Sequence, residues 1–243
     1  MKIEKRSPVT RDWFGNWSNE YDNTLGKTDF HRKLLDLIVR ELKLKDGEEV
    51  LDIGCGTGLL SLKLLEKKDC SITAIDNSTE MMAIFKDKIK RLKLGSNIMC
   101  QFMDADNIKI KKHHFDKIVS SVTLHHIKNK KKLLRAVHKI LKPGGVFIIG
   151  DIDMDTTGPH NDINRLKRIL KVLEQEWISA LKDSGVEAFA RMYNNGIKHI
   201  LNEGEYCISL KQWAVKCGKA GFKEVSVKNL PGYNYFGIVT AKK

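Results

Sequence analysis

Short runs of β-branched and apolar residues alternate with amphipathic stretches along this 243-residue chain, and this alternation restricts the fold more than any other feature. The runs predict seven strands: Glu48–Gly54, Ser71–Ile75, Asn97–Phe102, Phe115–Val122, Val146–Ile152, Phe222–Val227 and Tyr235–Ala241. Strands that alternate with helices pair in parallel, and helices cover both faces of their sheet. The last two strands are joined by the Pro231-Gly232 turn, so we predict an antiparallel hairpin at the C-terminal end.

Helical periodicity fills the segments between the strands. The predicted helices are Phe30–Leu44, Thr57–Lys68, Ser78–Leu94, Asn129–Leu141, Asp162–Asp183, Val186–Leu201 and Leu210–Lys219. The roughly 55 residues between Asp153 and Cys207 exceed the dozen or so that a parallel crossover needs. We therefore interpret residues 153–207 as an inserted helical cap, with Leu166, Ile169, Leu170, Leu173, Trp177 and Leu181 as the apolar stripe of its first helix.

Composition excludes several classes of protein. Five cysteines form no C-x-x-C pair, a pattern typical of reduced thiols rather than of a disulfide framework or a zinc ribbon. No apolar run approaches the roughly 18 residues of a membrane-spanning helix, and the first residues carry no export signal. We expect a cytoplasmic protein without a membrane span, of unknown oligomeric state.

Most of the formal net charge of +13 falls in one segment. Residues 109–142 contain eleven Lys or Arg and one acid, Asp116. Such a segment can bind nucleic acid, or it can be a solvated lysine-rich face. Only nine of the 43 basic residues are arginine, the residue preferred for bidentate phosphate contacts, so the sequence leaves both interpretations open.

The sequence VLDIGCGTGLLS, at residues 50–61, predicts a strand, a glycine turn and a helix. Gly54, Gly56 and Gly58 permit a tight turn and a close approach of backbone to a ligand. The unpaired N–H groups at the start of a helix suit a carboxylate or phosphate. Asp52 places a carboxylate at the carboxyl end of the strand, where it attracts an ammonium group, and ligands of open α/β sheets bind at this edge.

Asp76 ends the second predicted strand, a position from which a carboxylate accepts both hydroxyls of a ribose. A nicotinamide-binding fingerprint, G-x-G-x-x-G, requires glycine where this chain has Leu59. The spacing therefore disfavours a nicotinamide-dependent oxidoreductase.

Five motifs in this order resemble class I S-adenosylmethionine-dependent methyltransferases, in particular the ubiquinone/menaquinone-biosynthesis type and its small-molecule relatives. The motifs are DIGCGTG (Asp52–Gly58), AIDNSTEMM (Ala74–Met82), MDAD (Met103–Asp106), FDKIVSSVTLHHI (Phe115–Ile127) and LKPGGVFIIGD (Leu141–Asp151). The resemblance covers roughly Trp17–Asp151 and Leu210–Val227, and it implies an α/β, Rossmann-like, seven-stranded, mostly parallel sheet with helices on both faces. The C-terminal antiparallel hairpin and the inserted helical cap are predicted from the sequence pattern, and the cap lies outside the resemblance. We therefore predict one methyltransferase domain over residues 1–243, with lid helices (1–45), a cofactor-binding core (46–152), the cap (153–207) and a final helix and hairpin (208–243).

The resemblance assigns a binding role to eleven residues of this chain. Asp52, Gly54, Cys55 and Gly56 are expected at the methionine end of S-adenosylmethionine, Asp76 and Asn77 at the ribose, and Met81 or Met82 on the adenine. Asp104 and Ala105 are expected at the edge of the adenine ring, Ser120 beside the transferred methyl group, and Tyr21, in the WSNEYD stretch at Trp17–Asp22, on the lid. S-adenosylhomocysteine is the implied product.

The acceptor is less well specified, because one cofactor site serves many substrates. His125 or His126 follows the fourth strand on the substrate side, and we predict His125 as a general base or substrate contact. The run GDIDMDTTGPHND, at residues 150–162, departs from the pattern of a calcium-binding loop, and we predict no metal site.

Methyltransferases that act on adenine N6, cytosine N4 or the glutamine amide carry the signature [ND]-P-P-[YFW]. The matching position of this chain reads Ser120-Ser121-Val122-Thr123, so DNA and protein glutamine are disfavoured as substrates. A small-molecule acceptor is our first expectation. Methylation of RNA or protein, and a non-catalytic protein that binds S-adenosylmethionine or RNA, are the alternatives.

Overall fold

A computed structural model describes residues 21–22, 25–110, 113–202 and 205–243 of the chain. Seven strands form one sheet: β1 Glu49–Ile53, β2 Ser71–Asp76, β3 Ile98–Phe102, β4 Phe115–Ser121, β5 Leu141–Ile152, β6 Lys223–Leu230 and β7 Tyr233–Lys242. All seven predicted strands are present. Their order across the sheet is β3-β2-β1-β4-β5-β7-β6. Strands β1 to β5 are parallel, whereas β7 is antiparallel to both β5 and β6.

In the described residues, six α-helices connect and cover the strands: α1 Asp29–Leu42, α2 Leu59–Leu65, α3 Thr79–Arg91, α4 Lys130–Ile140, α5 Ile163–Asn195 and α6 Leu210–Lys219. Helices α1, α2, α3 and α5 pack on one face of the sheet, and α4 and α6 pack on the other. Buried side chains alternate between the two faces along a strand; Ile148, for example, packs with the first group and Ile149 with the second. The seven-stranded, mostly parallel α/β fold predicted from the sequence is thus confirmed.

The cap helix α5 consists of two helical segments that meet at Gly185, where the backbone leaves the helical conformation (φ 82°, ψ −172°). The segments fold back on each other, because the Trp177 indole N–H donates to the carbonyl of Met192 at 3.0 Å and its ring packs 4.7 Å from that of Tyr193. A positive φ with this ψ is accessible to glycine and strained for other residues. A π-helical turn, Gly196–Asn202, continues the second segment.

The buried face of α5 differs from the predicted stripe. Leu170 and Leu181 are exposed, and the buried positions of the first segment are Arg165, Ile169, Leu173, Glu176 and Ala180. The structure thus turns two polar side chains inward. In the described part of the chain, no helix combines the length and the apolar character needed to cross a bilayer.

Gly237 in β7 tests the tight packing of the C-terminal hairpin. A Cβ atom at this position would lie 2.5 Å from the carbonyl oxygen of Lys228, which is backbone and cannot move aside freely. We expect Gly237→Ala to lower the free energy of unfolding by roughly 1–3 kcal/mol, measured by urea denaturation. Gly218, exposed in α6 with nothing within 4 Å of the added atom, is the control; Gly218→Ala should stabilise the helix by about 1 kcal/mol. Equal effects of the two substitutions would contradict this account.

Candidate active site

A cavity lies at the carboxyl ends of β1, β2 and β4, between the sheet, the start of α1 and the cap. Ten of the twelve residues predicted at the site line it: Tyr21, Asp52, Gly54, Cys55, Gly56, Asp76, Asn77, Met81, Ala105 and His125. Asp104 and Ser120 are the two that do not. The topology explains the convergence, because parallel strands place their carboxyl ends at one edge of the sheet.

The glycine turn after β1 packs too closely on its neighbours for side chains at two of its positions. Gly54 has φ of 70°, and a Cβ there would lie 2.0 Å from Thr123. Gly58 has φ of 87°, and a Cβ there would lie 2.0 Å from the ring of Phe85. The turn is fastened to β2, since the N–H groups of Gly54 and Cys55 donate to the carbonyl of Ile75 at 2.8 and 3.1 Å.

The Asp76 carboxylate joins this turn to the start of α3. One oxygen accepts the N–H of Gly56 at 2.9 Å, and the other accepts the N–H of Ser78 at 2.8 Å. The Ser78 hydroxyl in turn caps α3 by accepting the N–H of Met81. Because each carboxylate oxygen has two lone pairs, Asp76 can accept ligand hydroxyls while it keeps both backbone hydrogen bonds.

Asp52 is buried, with 1% of its surface exposed, and it accepts a hydrogen bond from the Ser61 hydroxyl at 2.7 Å. Burial raises the pKa of Asp52 to about 7; the bond from Ser61 opposes this shift, and the charge of Asp76 adds to it. A cation in the cavity would favour the ionised form of Asp52. The carboxylate is therefore suited to an ammonium group.

Tyr21 closes the cavity on the N-terminal side, and its neighbour Asp22 fixes it there. Asp22 forms an ion pair with Lys88 and accepts a hydrogen bond from the Thr57 hydroxyl at 2.6 Å. The Tyr21 ring stands edge-on to His31, with 6.2 Å between the ring centroids, and burial raises its pKa. Of the predicted lid (residues 1–45), residues 1–20, with Trp17–Glu20, and residues 23–24 lie outside the described residues.

Ser120 does not lie where the sequence predicted it. Its side chain is buried in the sheet, and its hydroxyl donates to the carbonyl of Ile53 at 2.7 Å. Because successive side chains of a strand point to opposite faces, the next residue, Ser121, lines the cavity instead.

Asp104 caps a short 3₁₀ turn, Ala105–Asn107, by accepting the N–H of Asp106 at 3.0 Å. The cavity is lined there by Met103 and Ala105. Of the two methionines expected on the adenine, Met81 lines the cavity and Met82 packs in the core, with its sulfur 3.7 Å from that of Cys55. Burial holds the pKa of the Cys55 thiol well above its usual range, so Cys55 is a neutral part of the wall.

His125 lies opposite the glycine turn with both ring nitrogens beside carboxylates. Its Nδ1 is 2.6 Å from Asp151, at the end of β5, and its Nε2 is 3.6 Å from Glu205 of the cap. Burial alone would lower the pKa of His125, but the charges of Asp151 and Glu205 and the Asp151 hydrogen bond raise it to about 9. His126, the other predicted candidate, has its Nδ1 3.3 Å from Glu205.

Two further acids of the cap line the cavity, and the sequence analysis did not single them out. Glu205 faces both histidines, and Glu176, with 8% of its surface exposed, projects from the buried face of α5. One signal could have revealed Glu176: it occupies a position of helical spacing between Leu173 and Ala180, where an apolar side chain is expected.

Two groups of residues bear on metal binding. Ligand atoms of His125, His126 and Glu205 lie within 4.8 Å of one another, a cluster that can hold a divalent cation. The aspartates of residues 150–162 have structural roles: Asp153 accepts the N–H of Leu210, and Asp162 caps α5 by accepting the N–H of Asn164.

The basic segment 109–142 is only partly a free surface. Lys117 and Lys142 pair with Glu48 and Asp116. The buried ammonium group of Lys130 donates to the carbonyls of Leu124, His125 and Ile127 at 2.8, 3.2 and 2.5 Å. Lys111 and Lys112 lie outside the described residues. Binding of nucleic acid through this segment stays a prediction.

A match to a known protein family identifies the family of this chain. A family model described as a methyltransferase domain matches residues 44–212. The chain belongs to this methyltransferase family. The resemblance to class I methyltransferases that the five motifs indicated is thereby confirmed.

Individual members of the family are distant from this chain. It is 25% identical over 162 residues to 27-O-demethylrifamycin SV methyltransferase of Amycolatopsis mediterranei, covering 64% of this chain and 60% of that protein. It is 28% identical over 153 residues to the ubiquinone/menaquinone biosynthesis C-methyltransferase UbiE of Wigglesworthia glossinidia brevipalpis, covering 61% of each. It is 30% identical over 173 residues to phosphoethanolamine N-methyltransferase 1 of Zea mays, covering 68% of this chain and 31% of that protein. The chain thus spans about 60% or less of these relatives' lengths.

Solved structures share the fold. Phosphoethanolamine N-methyltransferase 2 of Haemonchus contortus, in complex with S-adenosyl-L-methionine, superimposes with a TM-score of 0.67 at 16% identity, covering 98% of this chain and 58% of that one. An S-adenosylmethionine-dependent methyltransferase from Aquifex aeolicus superimposes with a TM-score of 0.61 at 18% identity, covering 98% of this chain and 99% of that one.

The raised pKa of Asp52 predicts a pH-dependent stability. The folded chain keeps Asp52 protonated up to about pH 7, whereas the unfolded chain releases that proton near pH 3.8, the ordinary pKa of an aspartate. The contribution of Asp52 to stability is therefore present at low pH and decreases as the pH rises through 7. Asp52→Asn removes this cost, so at pH 8 it should stabilise the ligand-free protein by at least about 1.4 kcal/mol, the equivalent of one pKa unit.

Urea denaturation at pH 5 and pH 8 measures this difference. Asp87→Asn, an exposed acid on α3, serves as the control and should change the free energy of unfolding equally at both pH values. Asp52→Asn with the same effect at both pH values would show that Asp52 ionises normally.

Proposed function

We propose that this protein is an S-adenosylmethionine-dependent methyltransferase that acts on a small-molecule acceptor. The observation that carries the proposal is the pair of acids at the glycine turn. Asp76 can offer both oxygens to a ribose while it holds Gly56 and Ser78, and a cation in the cavity would favour the ionised form of the buried Asp52. S-adenosylmethionine has a ribose diol, an ammonium group and an adenine, and its sulfonium supplies an activated methyl group.

The relatives support this choice of donor. Family membership indicates methyl transfer, and the Haemonchus structure with a similar fold contains S-adenosyl-L-methionine. In this chain, Asp52 would hold the ammonium group of the methionine end, Asp76 and Asn77 the ribose, and Met81 and Ala105 the adenine. Tyr21 would cover the ligand from the N-terminal side.

Methyl transfer is an in-line displacement, so alignment of the acceptor with the methyl group supplies much of the rate acceleration. The acceptor half of the cavity lies between Ser121, His125 and the cap. Asp151 holds the Nδ1 side of His125, which leaves Nε2 to receive a proton from the acceptor. We infer that His125 is the general base and that Asp151 positions it.

The position of the cap supports a small acceptor. Glu176, Met192 and Ile200 of the cap form one wall of the cavity. A folded macromolecule would have to displace this cap to present an atom beside Ser121. The relatives named for a rifamycin, for ubiquinone or menaquinone and for phosphoethanolamine are consistent with a small-molecule acceptor.

Asp76→Ala tests the proposed ribose contact. Loss of charge-assisted hydrogen bonds to the hydroxyls should weaken S-adenosylhomocysteine binding by at least about 1.5 kcal/mol, measured by isothermal titration calorimetry. Asp76→Asn, which keeps an acceptor oxygen, should lose less, and Asp87→Ala should bind as the unmodified protein does. Unfolding curves of each variant separate loss of a contact from loss of the fold. Undiminished affinity of a folded Asp76→Ala protein would refute this role.

The pH dependence of methyl transfer tests the general base. A neutral His125 is required, so the rate should increase with pH up to about 9. Asp151→Asn removes the negative charge that raises the pKa of His125, and the inflection should therefore move to lower pH. Asp155→Asn, on the same segment but at a turn with Thr157, is the control and should leave the inflection unchanged. If the inflection of the rate profile stays at the same pH in the Asp151→Asn variant, His125 is excluded as the titrating base.

A further inference from the structure

Glu176 is a buried acid without a partner in the part of the chain that the structure describes. Only 8% of its surface is exposed, it lines the cavity, and none of the described residues gives its carboxylate a hydrogen bond or an ion pair. A buried carboxylate in this state costs several kcal/mol unless it binds a proton or a cation. The side chain stands between the buried Leu173 and Ala180 on its helix, so apolar packing does not account for it.

The surroundings of Glu176 add negative charge. Burial raises the pKa of Glu176 to about 7, the charge of Glu205 raises it further, and His125 opposes the shift. Asp151 and Glu205 flank the ring of His125, and the ammonium of Lys130 is bound by three backbone carbonyls. A cationic ligand would be attracted to this end of the cavity.

Two other polar groups that line the cavity bear on its occupant. The Oδ1 atom of Asn195, at the end of α5, and the Ser121 hydroxyl are both buried and lack a partner among the described residues. The Asn195 oxygen accepts and the Ser121 hydroxyl can accept or donate, so N–H groups of a ligand could donate to both. Met192, Ile200 and Phe236 complete the wall with apolar surface, which suits a carbon skeleton attached to the donor group.

We propose that the methyl acceptor is an amine with an apolar body, bound as its ammonium form by Glu176 and Glu205. This inference rests on the proposed methyltransferase function and names its substrate class. A divalent cation bound by His125, His126 and Glu205 is the competing occupant, but it would leave Glu176 and Asn195 without partners and would occupy the nitrogen that receives the proton.

The chemistry balances with the groups present. The bound ammonium gives one proton to Nε2 of His125, which Asp151 stabilises as the imidazolium. The freed nitrogen lone pair attacks the methyl carbon, the carbon–sulfur bond breaks, and its electron pair remains on sulfur as a neutral thioether. The product is the methylated ammonium ion, and the imidazolium proton returns to solvent.

Charge fractionation of the substrate pool tests the inference. Small molecules from an extract of the source organism are separated at pH 7 into cationic, neutral and anionic fractions, and each is incubated with the protein and methyl-labelled S-adenosylmethionine. We expect the label in the cationic fraction. Label confined to the neutral or anionic fraction would overturn the amine assignment, and so would transfer that a chelator abolishes and Mn²⁺ or Zn²⁺ restores.

The Glu176→Gln variant tests whether Glu176 recognises the cationic acceptor. It should lower kcat/KM for the cationic fraction at least ten-fold through a higher KM, with the affinity for S-adenosylhomocysteine unchanged. Glu174→Gln, two residues away on the exposed side of α5, is the matched control and should change neither quantity. An unchanged KM in Glu176→Gln would refute its role. Failure of the unmodified protein to bind S-adenosylhomocysteine would instead refute the proposed function itself.

Discussion

The close contact between the glycine turn and the end of β2 is the interaction on which the rest of the site depends. The N–H groups of Gly54 and Cys55 donate to Ile75 of β2, and the lack of side chains at Gly54 and Gly58 lets the turn also approach Thr123 after β4 and Phe85 of α3. Asp76 then bridges the turn to the start of α3 through two backbone hydrogen bonds. One carboxylate thus fixes the relative positions of a strand, a turn and a helix, and the ligand edge of the sheet is set before any ligand binds.

The sequence allowed the sheet and the donor half of the cavity to be predicted, because both follow from short-range rules. Short runs of β-branched and apolar residues located all seven strands. Asp52 and Asp76, near the carboxyl ends of β1 and β2, lie where parallel strands place them. The structure places Ser121, and not the predicted Ser120, on the wall of the cavity. A strand reverses its side chains at each step, so a motif locates the end of a strand more reliably than the side chain that faces the ligand.

The acceptor half could not be predicted in the same way, since it is built from residues far apart in the chain. His125 and Asp151 are separated by 26 residues, and Glu205 reaches them only because the cap returns to the sheet. The predicted stripe on α5 placed Leu170 and Leu181 inside, whereas the structure buries Arg165 and Glu176. A prediction that identifies the buried face of a helix by its apolar residues does not find polar residues that are buried there.

This division between the halves has a physical basis. In the proposed complex, the donor would bind to backbone and to acids at the ends of β1 and β2, whose positions the sheet fixes. The acceptor would bind to an insertion that makes its own helical hairpin at Gly185 and can change without disturbing the sheet. The charge of the cap therefore selects the acceptor independently of the donor site. A buried Glu176 is tolerated because the ligand that it binds also neutralises it, which couples the stability of the cap to occupation of the cavity.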